Sequence, residues 1–379
     1  IIIFSFLIVF SYHPSIMKID DYTGAIINPF SKYIIIAFCI LFMTNILRIK
    51  TILRCPLIKT YMLIMLMILV YAVITIIFVG NKSIWWEVRS LTICLMAIIV
   101  GYMINISDKQ LSRILVMFAI SGLIVGLSIV ITNVGGFIIE EKSNVTYKNA
   151  IGVVLSTASI IFFYLSYNKD YNKLYRIMLI AMSILLLASI LTIRARAAGL
   201  LTIVVLGVVL YLRNKNTETL LITTIVIVIL IFAMPQSIEN FIVDSFFKGF
   251  EGKDVTSDRG RRNQEALLFL KDNLFIGNMN MLVDVDQIHN YPLRILFNGG
   301  IIFSFPILLL YCYLLVKGIY YVFKVNVIEL RNIGFVTILI PFGISMLEPT
   351  LPFGPGTTTV FNFILLGIAL RNLYEQKNI

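Results

Sequence analysis

Long apolar runs recur along most of the chain and are separated by short polar breaks. A helix needs about 20 mostly apolar residues to cross a bilayer, where every backbone polar group must find its partner inside the protein. Composition points the same way: 59% of the residues are hydrophobic and 13% are charged, whereas about a quarter are charged in a soluble domain. The sequence therefore predicts an all-α fold, a polytopic bundle of transmembrane helices.

The apolar runs predict about twelve spans within a single membrane domain that covers residues 1–379. Ile1–Tyr12 is interpreted as the end of a first span and not as a signal peptide, because it has no basic leader and no small-residue cleavage site. One connection, residues 235–294 between spans nine and ten, is far longer than usual and is expected to be functional. The predicted spans are residues 1–12, 29–47, 58–80, 90–106, 111–132, 148–167, 174–193, 197–212, 219–234, 295–316, 332–347 and 357–371.

Basic residues favour alternate breaks between the predicted spans. Because Lys and Arg accumulate in cytoplasmic loops, this alternation predicts that both termini are cytoplasmic and that the long loop is external. The same bias accounts for the net charge of +11 without a nucleic-acid partner. Lys82, Arg89 and Lys142 lie in the other set of breaks. The residues that follow the bias are Arg48, Lys50, Arg54, Lys59, Lys109, Arg113, Lys169, Lys173, Arg176, Arg213, Lys215, Lys317, Lys324, Arg331, Arg371 and Lys377.

An amphipathic helix is predicted within the external loop, in the segment TSDRGRRNQEALLFLKDN. Thr256, Ser257 or Asp258 suits its N-cap, since short polar side chains accept hydrogen bonds from the first free backbone N–H groups. We expect the helix to extend from about Arg261 to Asn273 and to lie at the membrane surface or against the bundle. Its apolar side is predicted to comprise Ala266, Leu267, Leu270 and Leu274.

Arg259, Arg261 and Arg262 surround the beginning of this helix, where the positive end of the helix dipole disfavours cations. A bound anion would restore the balance, because free N–H groups and guanidinium groups both bind phosphate oxygens. The alternative is a solvated polar face or contact with lipid headgroups. We predict phosphate binding, with Arg259 as the principal residue.

A second pair of arginines, Arg194 and Arg196, interrupts the apolar segment ILTIRARAAGLL at the external ends of spans seven and eight. Arginines near the end of a span often extend to the interface. Here small residues surround them and allow close helix packing, and charged residues in spans usually face the protein interior and mark function. We predict a functional pair, with Arg196 as the more important residue.

Three further polar residues are predicted on the external face. His289, just before span ten, is able to accept a proton near neutral pH, although it is equally consistent with an interfacial residue that caps the span. Asn290 would orient this histidine or bind a sugar hydroxyl. Glu348, in the loop after span eleven, is a candidate polar contact or a loop acid beside a Pro/Gly turn.

No metal and no other cofactor is expected. Asp284 and Asp286 form a short acidic pair like the metal-binding pair of nucleotide-sugar transferases, but a three-residue match is weak. The loop that carries them is predicted to be external, where nucleotide sugars are not supplied. The four cysteines show neither metal-ligand spacing nor a disulfide pattern.

In order and spacing, these motifs resemble the O-antigen polymerase and ligase superfamily, the Wzy-type polysaccharide repeat-unit polymerases and their ligase relatives. There, a span ends in an arginine followed by small residues, as RARAAGLL does here, and KNAIGVVL is similar to an Asn-containing segment of the family. A large outer loop then opens with an arginine, continues through an Ala-Leu helix to a glycine, and closes with a His-Asn pair before a span that begins with glycine. The matching residues are Arg259, Ala266-Leu267, Gly277, His289-Asn290 and Gly299-Gly300.

This resemblance implies a metal-independent glycosyltransferase of a bacterial cytoplasmic membrane, with its active site on the outer face. Its donor and acceptor would be undecaprenyl-pyrophosphate oligosaccharides, polymerised into O-antigen or capsular polysaccharide, and a chain-length regulator protein is an expected partner. His289, Arg196 and Arg259 would be catalytic. Substrate binding would involve Arg194, Arg261, Arg262, Asn290 and Glu348.

Two alternatives remain open at this point. A ligase would transfer finished glycan to a lipid core or to protein, and it would share the fold and the donor. A flippase for the same lipid-linked units belongs to a different class. Transporters often have two related halves with broken helices near the bilayer centre, whereas the polar residues here gather on one predicted face.

Overall fold

The computed structural model describes residues 7–9, 18–19, 26–27, 36, 39–40, 42–44, 52–79, 84–138, 148–168, 170–193, 195–214, 259–278, 288–326, 329–348, 351–354 and 358–375. The chain forms two compact units. The first unit comprises Ile1–Phe30, Asp108–Ser257 and Asn326–Leu330, and the second comprises Ser31–Ser107, Asp258–Val325 and Arg331–Ile379. Predicted spans one, two and nine lie wholly or mostly outside the described residues.

Helices make up almost all of the described secondary structure. A two-residue antiparallel ribbon pairs β1 (Lys18–Ile19) with β2 (Ile26–Ile27) in the first unit. A 3₁₀ turn covers Leu330–Asn332. The helices are, in chain order, α1 (Pro56–Val79), α2 (Ile84–Met103), α3 (Asp108–Ile138), α4 (Lys148–Leu165), α5 (Lys173–Thr192), α6 (Arg196–Asn214), α7 (Arg259–Asn273), α8 (Tyr291–Lys324), α9 (Ile333–Thr337), α10 (Leu339–Ile344) and α11 (Val360–Glu375).

Five of these helices, α1, α2, α3, α5 and α8, are long and apolar enough to cross a membrane. Large apolar side chains remain exposed along them, including Leu66 at 64%, Ile77 at 69% and Ile184 at 61%. Such faces suit a lipid environment, because hydrocarbon is as apolar as the side chains themselves. The prediction of an all-α membrane protein is confirmed. The number of about twelve spans stays a prediction, as does the external position of the long loop.

In the first unit, α4 packs against its neighbours through small residues. A Cβ at Gly152 would lie 2.7 Å from the Ala198 Cβ, and a Cβ at Gly122 would lie 2.6 Å from the Ala158 Cβ. Small residues allow transmembrane helices to approach closely, and hydroxyl groups then bond across the interface. The hydroxyl groups of Ser159 and Ser183 are 2.9 Å apart, on α4 and α5. These contacts pack α3, α5 and α6 against α4.

In the second unit, α2 and α11 approach each other at the level of the backbone. A side chain at Gly101 would collide with the carbonyl of Ile364, and one at Gly367 would collide with the carbonyl of Ile98. The Asn362 side chain then donates to the Thr337 carbonyl at 2.9 Å, which connects α11 to α9. The pair forms the buried centre of this unit.

At each end of the second unit, a different set of the breaks between helices lies together. At one end, Arg371 donates to the Met103 carbonyl at 3.2 Å, and Arg331 donates to the Ile106 carbonyl at 3.3 Å. The charge bias predicted all of these breaks on the cytoplasmic side. At the other end, the starts of α2 and α8 meet the residues that follow α10, and these breaks were predicted to be external. Which of these two ends faces the cytoplasm stays a prediction.

The described helices differ in detail from the predicted spans. Predicted span eleven, residues 332–347, is divided into the short helices α9 and α10. Span ten begins earlier than residue 295, and α8 is interrupted at Gly300. The predicted apolar side of α7 is only partly buried: Ala266 and Leu270 are buried, whereas Leu267 and Leu274, the residue after the helix, are exposed. Only a narrow stripe of α7 is covered, because it packs mainly against the first part of α8.

Candidate functional site

Asn290 is the N-cap of α8 and also connects that helix to the segment before Glu348. Its side-chain oxygen accepts from the backbone N–H of Leu293 at 2.9 Å, and its amide nitrogen donates to the Met346 carbonyl at 3.1 Å. Asparagine favours this position because its side chain satisfies an otherwise free N–H group of the first turn. These two bonds favour a role for Asn290 in positioning over direct sugar binding.

An ion pair that the sequence did not suggest lies beside this cap. The Arg294 guanidinium pairs with the Glu87 carboxylate, which connects the first turn of α8 to the first turn of α2. The side chains are only 23% and 12% exposed, respectively. The hydroxyl group of Tyr291 donates to the same carboxylate at 3.3 Å. A partly buried carboxylate with two donors is held in one geometry.

Aromatic residues pack against Tyr291, next to the polar cluster. The Tyr291 ring stacks on Tyr311 with centroids 6.0 Å apart and meets Phe353 edge-on at 5.7 Å. The Tyr291 backbone N–H donates to the Ser345 carbonyl at 2.9 Å. The hydroxyl groups of Tyr311 and Ser345 are 2.8 Å apart. The start of α8 is therefore fixed to α10 through both backbone and side chains.

His289 lies between this cluster and α7. It is half-buried, and it follows Ile288, which is buried together with Ala266 of α7 and Phe297 of α8. Phe269 and Phe297 extend the same contact, with ring centroids 5.1 Å apart. Helix α7 and the His-Asn pair are thus neighbours through an apolar core.

The loop after α7 caps the break in α8. Gly277 and Gly300 both have positive φ, 63° and 59°, which glycine adopts without steric cost. The N–H groups of Ile301 and Ile302 donate to the Leu274 and Phe275 carbonyls at 2.8 and 3.2 Å. These donors begin the second part of α8, and the loop backbone supplies the acceptors that the interrupted helix lacks.

The arginines predicted on α7 occupy different environments. The helix starts at Arg259, whose side chain lies outside the described residues. Arg261 is exposed and pairs with Glu265 one turn later at 3.7 Å, whereas Arg262 is half-buried. The exposure of Arg261 and its pair with Glu265 are therefore consistent with the alternative of a solvated polar face. The suggested caps Thr256, Ser257 and Asp258 lie outside the described residues.

Arg194 and Arg196 belong to the first unit. Arg194 lies outside the described residues, and Arg196 is the first residue of α6, with its side chain not described. The small residues around them behave as predicted: Ala195 and Ala198 are buried and pack on Gly152 of the KNAIGVVL segment. Two motifs far apart in the sequence thus meet at one end of this unit.

Among the residues that the structure describes, there is no group of three or more His, Cys, Asp or Glu side chains that could hold a metal ion. Asp284 and Asp286 lie outside them. Glu348 is half-buried, two residues after the Met346 carbonyl that accepts from Asn290.

Glu87 and Arg294 were missed at the sequence level. Both lie in breaks predicted to be external, where a cation opposes the charge bias. That signal would have identified the arginine, although nothing in the sequence connects it to Glu87.

Comparison with known proteins gives no assignment. No family model matches the chain, and no curated protein is significantly similar to it. A function is therefore supported by the chemistry of the site and by the motifs in the sequence.

Proposed function

We propose that the protein is a membrane glycosyltransferase that polymerises undecaprenyl-pyrophosphate-linked oligosaccharide repeat units into O-antigen or capsular polysaccharide. The observation that supports it best is the polar cluster at the end of the second unit, where His289 and Asn290 precede α8. Asn290, Arg294 and Glu87 fix the position of this helix start. A general base requires such positioning, because proton transfer depends on geometry before it depends on pKa.

In the proposed reaction, His289 accepts the proton of an acceptor sugar hydroxyl while the hydroxyl oxygen attacks the anomeric carbon of the donor. The bond between that carbon and the pyrophosphate oxygen breaks, and the electron pair leaves with the diphosphate. Arg196 and Arg259 stabilise the developing charge, because guanidinium groups bind phosphate oxygens in pairs. Arg194, Arg261 and Arg262 assist in binding, and Glu348 contacts the sugar. No metal is needed when cationic side chains neutralise the leaving group.

The test compares polymer length in cells that express Arg196→Lys, Arg259→Ala or His289→Ala with the unchanged protein. Arg113→Ala is a suitable control, because Arg113 is an exposed arginine on α3 in a break predicted to be cytoplasmic. We expect loss of polymer in all three variants at normal protein levels and normal polymer in the control. Full-length polymer in all three variants would refute the assignment.

The product that accumulates distinguishes the alternatives. Lipid-linked single repeat units on the outer face indicate a polymerase. Long lipid-linked chains that never reach a lipid core or a protein indicate a ligase, whereas repeat units retained on the cytoplasmic face indicate a flippase.

A further inference from the structure

The first unit has a second cationic site, at the end opposite to Arg196. Arg213, in the last turn of α6, places its guanidinium over the ring of Tyr167, with the Cζ atom 3.4 Å from the ring centroid. Phe163 holds that ring edge-on at 4.9 Å. Arg176, in the first turn of α5, donates through Nε to the Ser166 carbonyl at 2.9 Å. Both guanidinium groups are thus held by the end of α4.

The two arginines are close enough to influence each other and the same tyrosine. The charges of Arg213 and Arg176 both act on the Tyr167 hydroxyl. The charge of Arg176 also disfavours the positive charge of Arg213. Two like charges held together are stabilised by an anion between them.

The hydrogen bonding of Arg213 is also incomplete. Its Nη1 atom is buried and has no acceptor among the described residues. A guanidinium has five N–H donors in a planar fork that matches phosphate oxygens. The C-terminal end of α6 favours one cation through its dipole, but Arg176 lies in the first turn of α5, where the dipole disfavours it. An anion would satisfy both the free donor and the excess charge.

The surroundings indicate that this anion belongs to an amphiphile. Next to Arg176, α5 exposes Leu174, Ile177 and Met178, and α5 is one of the helices able to cross a membrane. Tyr175 and Tyr211 are also exposed near the ends of α5 and α6, as aromatic residues are at membrane interfaces. Basic pockets between transmembrane helices on the cytoplasmic side bind acidic lipid headgroups, and this end of α5 and α6 is predicted to be cytoplasmic.

We propose that Arg176 and Arg213 form a binding site for the phosphate of an anionic phospholipid, with Tyr167 orienting Arg213. The site is independent of the proposed glycosyl transfer, because its residues lie at the other end of α4 from Gly152 and the start of α6. The shared chemistry is a phosphate group. Inorganic phosphate offers that group without acyl chains, and a zwitterionic lipid offers it without net charge.

Native mass spectrometry of the full chain in detergent tests the site, with phosphatidylglycerol, phosphatidylcholine or inorganic phosphate added. We expect retained phosphatidylglycerol and about tenfold weaker binding in Arg213→Gln and in Arg176→Gln, because a charge-assisted hydrogen-bonded pair is lost. Arg113→Gln, in the same unit and exposed, should bind like the unchanged protein. Tyr167→Leu should weaken binding less than either arginine variant does.

Three results would overturn the site. One is unchanged phosphatidylglycerol binding in both arginine variants at an unchanged melting temperature, and another is equal retention of phosphatidylcholine. The third is inorganic phosphate bound as tightly as phosphatidylglycerol, which would reveal a free-anion site. If Arg213→Gln fails to fold, Arg213→Lys and Arg176→Gln keep the test decisive, because lysine preserves charge but not the planar fork.

Discussion

The carboxylate of Glu87 pairs with the guanidinium of Arg294, although more than two hundred residues separate them in the sequence. The pair connects the first turns of two candidate transmembrane helices at the end of the second unit that carries Asn290. The Glu87 carboxylate also accepts a hydrogen bond from the hydroxyl group of Tyr291. Removing one partner of a pair that is partly shielded from water leaves an uncompensated charge, which costs more than the loss of an exposed pair.

Glu87→Gln should lower the stability of the protein by about 1–3 kcal/mol, because the Arg294 charge is then left partly buried and uncompensated. Thermal unfolding of the purified protein in detergent measures this effect. The matched control is Glu265→Gln, which removes the exposed pair with Arg261 and should change stability by less than about 0.5 kcal/mol. The double variant Glu87→Gln with Arg294→Gln should recover part of the loss, and simple additivity would contradict the coupling.

Gly300→Ala should destabilise α8 by about 2 kcal/mol or more, because Gly300 has φ of 59° and a Cβ there would lie 2.5 Å from the Ile276 carbonyl carbon. The capping loop after α7 would have to move. Gly318→Ala, in the same helix, is the control, since its Cβ would meet only side chains at 3.4 and 3.5 Å. Equal melting temperatures for the two variants would contradict the tight approach of loop and helix.

Gly152→Ala should loosen the contact between α4 and α6, because the new methyl group would lie 2.7 Å from Ala198. We expect a loss of about 1–3 kcal/mol, as for other overpacked interfaces. Adding Ala198→Gly should restore part of it. Gly207→Ala meets nothing within 4 Å and should be neutral or stabilising by up to about 1 kcal/mol. Thermal melting of the four proteins checks the series, and no rescue would contradict direct packing.

Asn290→Ala should destabilise the start of α8 by about 1 kcal/mol through loss of the N-cap, whereas Asn290→Ser should retain the cap. Serine is too short to reach the Met346 carbonyl. If Asn290 positions the neighbouring histidine through that bond, both variants should lose polymer synthesis although only alanine lowers the melting temperature. Normal synthesis in Asn290→Ser would show that the connection to Met346 is dispensable.

Burial raises the pKa of the Cys55 thiol from 9.0 to about 11. Only the thiolate reacts with maleimide, and a pKa two units higher lowers the thiolate fraction at pH 7 about a hundredfold. Maleimide should therefore label Cys55 about a hundredfold more slowly at pH 7 than it labels an ordinary thiol. In a variant that keeps Cys55 as its single cysteine, the labelling rate in detergent should keep rising with pH from pH 7 to pH 11. For an ordinary thiol, the rate would reach a plateau near pH 9. Because the folded pKa is raised, the stability from burying this neutral thiol is present below pH 9 and is lost as the pH rises towards 11. After denaturation in SDS, the plateau should return near 9.

Much of the helix pattern was predictable, because hydrocarbon imposes long apolar runs and each backbone polar group must bond within its own helix. The helix Arg259–Asn273 was expected to begin two residues later, at Arg261. The small residues around Arg196 pack closely, as predicted. The exposed Leu267 and the break at Gly300 were not predictable. Periodicity gives a side of a helix, but the neighbour that packs against it decides how much of that side is buried.

The sequence by itself determined the membrane class, the positions of most helices and the polar residues that break them, because these depend on local composition and on the cost of polar groups in lipid. Only the tertiary structure decided that Glu87 meets Arg294 and that the Gly277 loop caps the interrupted helix at Gly300. It also decided that Arg176 and Arg213 bind the neighbouring residues Ser166 and Tyr167. Such pairings join segments that are distant in the chain. They are set by which helices pack together, and hydropathy carries no information about that choice.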